Sequence, residues 1–152
     1  MSNINYINGN IELLDSVKPL WEKLNNHHKE NSTNFSHNYE MFTFDFRKKK
    51  FYDKNLKVNV DLVEDLDKKT YIGYCISTIN LELVGEIESL YLEKEYRNQG
   101  IGEELMNRAL TYLNENGSKK KIIGVAEGNE KVLDFYKKFN FCKRTVILEE
   151  II

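Results

Sequence analysis

A glycine-bearing turn near residue 100 is the segment of this sequence best suited to chemistry. Its pattern is Arg-x-x-Gly-x-Gly, and its six residues are Arg97, Asn98, Gln99, Gly100, Ile101 and Gly102. The first N–H groups of a helix lack partners within the helix and carry a partial positive charge, so they can hold a phosphate. The glycines let phosphate oxygens approach the backbone, and Arg97 adds a cation. The turn therefore predicts a phosphate-binding site at the start of a helix.

Two common phosphate-binding loops do not fit this spacing. A dinucleotide-binding loop needs a third glycine where Leu105 stands, and it also needs a βαβ unit at the start of the chain, which the sequence lacks. A P-loop needs Gly-Lys-Ser or Gly-Lys-Thr after four spacer residues, and no such run occurs. A nucleotide-binding oxidoreductase is therefore disfavoured.

With its neighbours, the turn resembles the pyrophosphate-binding motif of the GNAT superfamily of acyl-CoA-dependent N-acyltransferases. Upstream, the run 88–92 (Glu-Ser-Leu-Tyr-Leu) is similar to the fourth strand of that family, whose exposed backbone pairs with pantetheine. Downstream, the run 129–141 is similar to the family pattern Asn-x6-Tyr followed by Glu/Lys-Lys-x-Gly-Phe, with Asn140 in place of the usual glycine. Asparagine also adopts the left-handed conformation, so a helix can still end there. The resemblance covers roughly residues 56–141.

The resemblance implies a fold, a co-substrate and a set of binding residues. The fold would be a mixed, mostly antiparallel α/β (α+β) sheet, flanked by helices on both faces and splayed between its fourth and fifth strands. Residues 1–152 would form one domain, with a variable acceptor-side segment over 1–55, an acetyl-CoA-binding core over 56–141 and a C-terminal strand over 142–152. Acetyl-CoA would be the co-substrate, with no metal, and its binding residues would be Leu90, Tyr91, Leu92, the six residues of the turn, Asn129 and Tyr136.

Acetyl transfer to an amine needs a neutral amine, a held oxyanion and a protonated leaving thiolate. A lysine-like amine has a pKa of about 10.4, so making it neutral at pH 7 costs about 4.6 kcal/mol. Glu88 is the candidate base, because family members that use a strand carboxylate carry it two residues before the position of Leu90. Glu86 lies on the same strand face and is the alternative, while both carboxylates could simply line a polar face. The resemblance implies that the N–H of Leu90 holds the oxyanion.

Tyr136 is the candidate acid. Its phenol has an ordinary pKa of about 10, close enough to the 8.5 of a thiol to protonate the leaving sulfur. The alternative is a core tyrosine on an amphipathic helix between Phe135 and Phe139, but the seven-residue spacing from Asn129 favours the catalytic interpretation. Asn129 could cap this helix and also bind pantetheine.

The composition limits the class of protein. The chain has 152 residues, of which 41% are hydrophobic and 30% charged, so it is expected to be a single folded domain without a membrane span. The first residues lack the features of a secretory signal, which predicts a cytoplasmic protein. The net charge is −2, and the basic runs 47–50 and 119–121 are interpreted as solvated faces, so no nucleic-acid or membrane partner is expected. The two cysteines are interpreted as reduced core residues, and the three histidines as a weak metal signal.

Hydrophobic periodicity predicts alternating elements. Helices are predicted over 13–24, 41–52, 101–117 and 130–139, and strands over 4–7, 56–63, 70–79, 83–92, 121–126 and 141–151. The segment 41–52 also alternates like a strand. Five residues of the variable segment are predicted either to line a pocket or to pack in the core: His27, His28, Phe35, Phe42 and Phe44.

The resemblance thus implies direct acetyl transfer to a primary amine of a small molecule or peptide. The alternative is a non-catalytic acyl-CoA-binding sensor or scaffold.

The last segment, 145–152, has apolar residues on both strand faces, and a sheet edge of this kind is normally covered. A second copy of the chain is the simplest cover, which predicts a homodimer.

Overall fold

A five-stranded sheet with helices on both faces forms the framework of the computed structural model, which describes residues 3–152. The strands are β1 (Ile4–Gly9), β2 (Lys57–Asp65), β3 (Thr70–Ile79), β4 (Val84–Leu92) and β5 (Lys120–Ile123). The helices are α1 (Leu14–Asn31), α2 (Ser36–Met41), α3 (Phe44–Lys48), α4 (Ile101–Glu115) and α5 (Leu133–Lys137). Short 3-10 turns cover 11–13, 49–52, 94–96 and 130–132.

The sheet follows the order of the chain, β1-β2-β3-β4-β5. The first three pairs are antiparallel, whereas β4 and β5 are parallel. A parallel pair needs a crossover connection, and α4 provides it. The mixed, mostly antiparallel sheet flanked by helices is therefore confirmed.

Alternate residues of the central strands feed two separate cores. On one face, α1 buries Leu14, Val17, Leu20 and Trp21 against β2 and β3. On the other face, α4 buries Ile101, Leu105, Met106, Ala109 and Leu113 against the same strands and β4. This four-residue spacing is the stripe that the sequence predicts for α4. The two cores fix the sheet between two helical layers.

The edge between β4 and β5 opens halfway along. Pairing runs only from Val84 opposite Lys120 to Ile87 opposite Ile123, and beyond that point the two strands separate. On its other edge, β4 shifts register against β3, because Ser77 faces Ile87 while the preceding residue faces Ser89. Such a bulge turns the backbone locally and redirects side chains. The extra residue in this bulge is Glu88, so the bulge lies at the mouth of the splay.

The predicted helix over 41–52 is wrong in part, since the chain forms two helices and a 3-10 turn there. Phe42 is extended, and the side chain of Thr43 accepts a hydrogen bond from the N–H of Phe46. A threonine in this position caps a new helix and interrupts the preceding one. Phe44 is consequently buried in the core, while Phe46 remains exposed.

The predicted C-terminal strand is also wrong, because residues 141–152 carry no strand in the described structure. Asn140 has φ +68° and ends α5 as the sequence predicts, with the N–H of Phe141 bonded to the carbonyl of Tyr136. An isolated strand needs a ladder partner, and β5, the edge strand, is only four residues long. The tail therefore leaves Ile147 and Leu148 about nine-tenths exposed. Cys75 is buried as predicted, but Cys142 is exposed, which corrects its interpretation as a core residue.

Candidate active site

A cavity of about 160 Å³ lies where β4 and β5 separate. Sequence-predicted site residues meet there: it is lined by Glu88, Leu90, Asn129 and Tyr136. The remaining wall comes mainly from α1, the α2–α3 region and the chain that follows β5, through Trp21, Leu24, Asn25, His28, Tyr39, Phe42, Arg47, Ile87, Ser89, Ile123, Gly124, Val125, Ala126 and Val132. The splay therefore joins the predicted cofactor core to the variable segment.

The Arg-x-x-Gly-x-Gly turn lies outside this cavity, at the start of α4. Gly100 has φ +85°, a conformation that glycine adopts without strain, and nothing lies within 4 Å of where a Cβ would stand. The first helical hydrogen bond is donated by the N–H of Glu104 to the carbonyl of Gly100, and no side chain caps the helix. The preceding N–H groups are therefore available to an anion.

Arg97 and Gly102 connect this turn with the rest of the site. Arg97 Nε donates to the carbonyl of Leu92 at 2.9 Å, which ties the turn to the end of β4. A Cβ on Gly102 would lie 3.6 Å from the ring of Phe135, the residue next to Tyr136. The turn thus packs between the end of β4 and α5.

Glu88 occupies the bulge of β4, and its side chain is only 1% exposed. Its carboxylate accepts hydrogen bonds from Arg47 Nη2 at 2.9 Å, Lys50 Nζ at 3.0 Å and Thr78 Oγ1 at 2.6 Å. Burial alone would raise the pKa of Glu88, but the hydrogen bonds from Lys50, Thr78 and Arg47 hold it below the usual value. The carboxylate is charged and fully engaged, which makes it a weak proton acceptor.

Glu86 lies farther out on the same strand. It does not line the cavity, and its nearest cation is Lys50 Nζ at 3.5 Å. Burial and the nearby charge of Glu88 raise its pKa. Glu86, the alternative base, therefore has a raised pKa, which suits a proton acceptor, but it does not line the cavity.

Tyr136 projects from α5 into the cavity. Burial, with a smaller contribution from Cys75, raises the pKa of its phenol well above the usual value. The phenol therefore keeps its proton throughout the physiological pH range. Asn129 does not form the cap that the sequence predicts, because no side chain caps the 3-10 turn that begins there.

Two functional contacts were missed by sequence reasoning. Arg47 and Lys50 belong to a basic run interpreted as a solvated face, yet both bind Glu88, 41 and 38 positions away. Their three-residue spacing on a helical segment was the available signal, because it places both on one face. His28, in contrast, was named from the sequence as a pocket-lining or core position; it lines the cavity, and burial, aided by His27, lowers its pKa to about 4. Its Nδ1 is buried without a hydrogen-bond partner in the described structure.

Neither a metal cluster nor a membrane-spanning helix is found among residues 3–152. No group of three or more His, Cys, Asp or Glu side chains is arranged to hold a metal ion. None of the described helices is both long enough and apolar enough to cross a bilayer.

A family model and curated relatives support the family resemblance. A model described as "Acetyltransferase (GNAT) family" matches residues 21–141. N-alpha-acetyltransferase 30 of Schizosaccharomyces pombe is 30% identical over 82 residues, which are 51% of this chain and 55% of that protein. The match covers 32% of the length of one curated relative and 55% of the length of N-alpha-acetyltransferase 30, so the chain spans about a third to a half of these proteins.

Solved structures share the fold. A candidate acetyl transferase from Pyrococcus furiosus has a TM-score of 0.77 at 18% identity, over 99% of this chain and 100% of that chain. The aminoglycoside N-acetyltransferase AAC(6')-Iy in complex with CoA has a TM-score of 0.67 at 11% identity, over 99% and 96%. At such identities the likeness establishes the fold alone. Because the family model covers residues 21–141, this chain belongs to the GNAT family of acetyltransferases.

Proposed function

We propose that the protein is an acetyl-CoA-dependent N-acetyltransferase that moves the acetyl group directly to a primary amine of a small molecule or peptide. The observation that carries the proposal is the cavity in the splay, where Leu90, Tyr136 and the Glu88 bulge line one space. An acetyl donor and an acceptor could meet there from opposite sides, since the variable segment forms the facing wall.

The residues present fit acetyl-CoA. The uncapped start of α4, with an open position at Gly100, suits a pyrophosphate, and the splayed part of β4 (Leu90, Tyr91 and Leu92) offers backbone groups to pantetheine. Asn129 lines the cavity on the same side as Tyr136. Bound there, acetyl-CoA would supply an acetyl thioester.

Each proposed role follows from position. Tyr136 would donate a proton to the leaving sulfur, and the N–H of Leu90 would hold the carbonyl oxygen as negative charge develops. Attack of the amine would form the C–N bond and an oxyanion, and collapse of this oxyanion would break the C–S bond; the amine releases one proton and the sulfur takes one. As a base, Glu88 would accept the proton of the amine through a water. Its hydrogen bonds with Arg47 and Lys50 favour a second role, in which Glu88 holds these two side chains in position.

Binding without turnover is the rival function. A sensor or scaffold of this family would hold acetyl-CoA and show no thiol release with any amine. The experiment is a thiol-release assay with polyamines, amino acids, aminoglycosides and peptides, run beside calorimetry with acetyl-CoA. Binding together with turnover supports the enzyme, whereas binding with no turnover across the panel supports the sensor.

The phosphate-binding role of the turn predicts that Gly102→Val weakens acetyl-CoA binding by more than about tenfold, or 1.4 kcal/mol. Gly102 is the second residue of α4, so a branched side chain there would crowd both the Phe135 ring and the N–H groups at the helix start. Gly102→Ala is the matched control, because its Cβ meets only an ordinary contact with Phe135 at 3.6 Å. Calorimetry gives both affinities, and thermal melting checks the fold. Unchanged affinity in a folded Gly102→Val protein would rule out this binding site.

The exposed tail predicts a homodimer. Deleting Leu148 to Ile152 should lower association, because these residues expose apolar surface that a second copy can cover. Light scattering measures the association. Leu81→Ser is the control, since it removes another exposed apolar side chain, 75% exposed, from the turn between β3 and β4. A wild-type monomer at high micromolar concentration, with identical behaviour of the truncation, would contradict the dimer.

A further inference from the structure

The acceptor side of the cavity combines apolar side chains with the polar Asn25, His28 and Tyr39, and it contains one cation. Trp21, Leu24 and Phe42 supply the apolar surface, and Arg47 supplies the charge. Lys50, the other cation near Glu88, is not part of the wall. Arg47 is therefore the cation that an acceptor would meet.

Most of the hydrogen-bonding capacity of Arg47 is unused. Its Nη2 donates to the backbone carbonyl of Glu88 at 3.1 Å and to the carboxylate at 2.9 Å. Within residues 3–152, Nε and Nη1 form no hydrogen bond, although the side chain is only 19% exposed. A guanidinium has five N–H donors in a fixed plane, so three are left for a ligand. Arg47 also packs over the ring of Phe51 at 4.9 Å, which limits its freedom to turn toward solvent.

The position of Arg47 sets the distance to the reacting amine. Its Nη2 touches the Glu88 carbonyl, two residues before Leu90, whose N–H is the proposed oxyanion donor. Arg47 and Leu90 line the same cavity, so an acceptor amine attacking there would be within the space that the guanidinium faces. An oxygen bonded one carbon beyond the amine-bearing carbon is about 3 Å from the nitrogen. It is thus a suitable oxygen for Arg47 to bind.

We propose that the acceptor is an α-amino acyl compound, a primary amine whose neighbouring carbon carries a carbonyl or carboxylate oxygen, and that Arg47 binds this oxygen. The inference rests on the proposed N-acetyltransferase function. Arg47 is accordingly a specificity-determining residue, and the apolar wall takes the side chain of the acceptor.

The proton balance of the site agrees with the peptide and amide members of this class. The α-amine of a peptide has a pKa of about 7.7–8.0, so its neutral form at pH 7 costs only about 1 kcal/mol, against about 4.6 for a lysine-like amine. Glu88 is held in ion pairs, and His28 is neutral and poorly basic because burial, together with the neighbouring His27, lowers its pKa to about 4. A cavity with such weak bases is suited to an amine that loses its proton easily.

The test compares three acceptors that share one side chain: leucinamide, leucine and 3-methylbutylamine, which lacks the acyl group. The kcat/KM of each is measured by thiol release for wild type, Arg47→Met, Arg47→Lys and Lys50→Met. For each protein, the kcat/KM for leucinamide is divided by the kcat/KM for 3-methylbutylamine. Comparing this ratio between proteins cancels the difference in pKa between the two amines. Thermal melting confirms that each variant is folded.

Arg47→Met should lower this ratio by about ten- to a hundredfold, chiefly through a higher KM for leucinamide, because a charge-assisted hydrogen bond is lost. Arg47→Lys should lower it less, since the charge remains without the planar fork. Lys50→Met is the matched control: it also removes a cation from Glu88 but not from the cavity, so the ratio should stay at the wild-type value.

An unchanged ratio in Arg47→Met, or an equal shift in Lys50→Met, would overturn the inference, because Arg47 would then act only through Glu88. Comparable use of leucine and leucinamide supports a shared α-amino acyl site, and preference for leucinamide assigns the site to peptide N-termini. Transfer to 3-methylbutylamine with no preference for either acyl compound overturns this inference alone. Absence of transfer to every amine tested, despite acetyl-CoA binding, counts against the proposed function itself.

Discussion

Replacing Tyr136 with phenylalanine is expected to lower kcat by about 10²- to 10⁴-fold, with little change in acetyl-CoA affinity. Loss of a proton donor that acts only in the transition state has this signature. The substitution removes one oxygen from a side chain that lines the cavity, and the ring can keep its contact with Phe135. Steady-state kinetics and calorimetry on the same preparation measure the two quantities.

Tyr112→Phe is the matched control for this variant. Tyr112 is a half-buried tyrosine on α4 that lines a different cavity, so its kcat should equal that of wild type. The pH dependence adds a second criterion. Because burial raises the pKa of Tyr136, the phenol stays protonated below its ordinary value of about 10. An unchanged kcat in Tyr136→Phe would contradict the assigned acid. A basic limb near pH 8 that this substitution removes would keep Tyr136 as the acid but contradict its raised pKa.

The local elements were predictable because their signals are local. The stripe of α4, the alternation of β2 and the left-handed Asn140 at the end of α5 are set by neighbours within a few residues. The Arg97–Gly102 turn is similarly contained in six consecutive residues. These features therefore appear in the structure close to their predicted bounds.

The chemistry around Glu88 was not predictable in the same way. Its environment depends on the bulge of β4 against β3, and register shifts leave no period in the sequence. Its cations come from the variable segment, about forty positions earlier. Sequence reasoning could therefore name the carboxylate but could not show that Arg47, Lys50 and Thr78 enclose it.

The prediction of a C-terminal strand was wrong for a related reason. Apolar residues on both faces predict a buried strand, yet a strand also needs a ladder partner, and the sequence does not specify which edge supplies one. In the described chain, residues 141–152 find no such edge. The same apolar residues that predicted the strand are now the basis for the predicted dimer.

The enclosure of Glu88 predicts a large loss of stability in Glu88→Gln, about 3 kcal/mol in the free energy of unfolding at pH 7. Removing one member of a buried ion pair leaves its partners unpaired, which typically costs about 3–5 kcal/mol. The lower end applies here, because the Arg47 and Lys50 side chains are 19% and 45% exposed. Urea unfolding of wild type and variant measures the difference. Glu86→Gln is the control, with an expected change within about 0.5 kcal/mol, since its contact with Lys50 is longer and more exposed.

The pH dependence distinguishes a charge effect from a packing effect. The folded pKa of Glu88 is below its unfolded value of about 4.3, so its stabilising contribution is complete above that value and is lost as the pH falls through the folded pKa. The difference between wild type and Glu88→Gln should therefore shrink only in acid, below about pH 4. A difference that stays constant to pH 3 would assign it to packing. The same pKa bounds the catalytic role. If Glu88 is the base, an acidic limb of kcat/KM lies below about pH 4.3, and a Glu88→Gln protein that keeps both its kcat and that limb would exclude it.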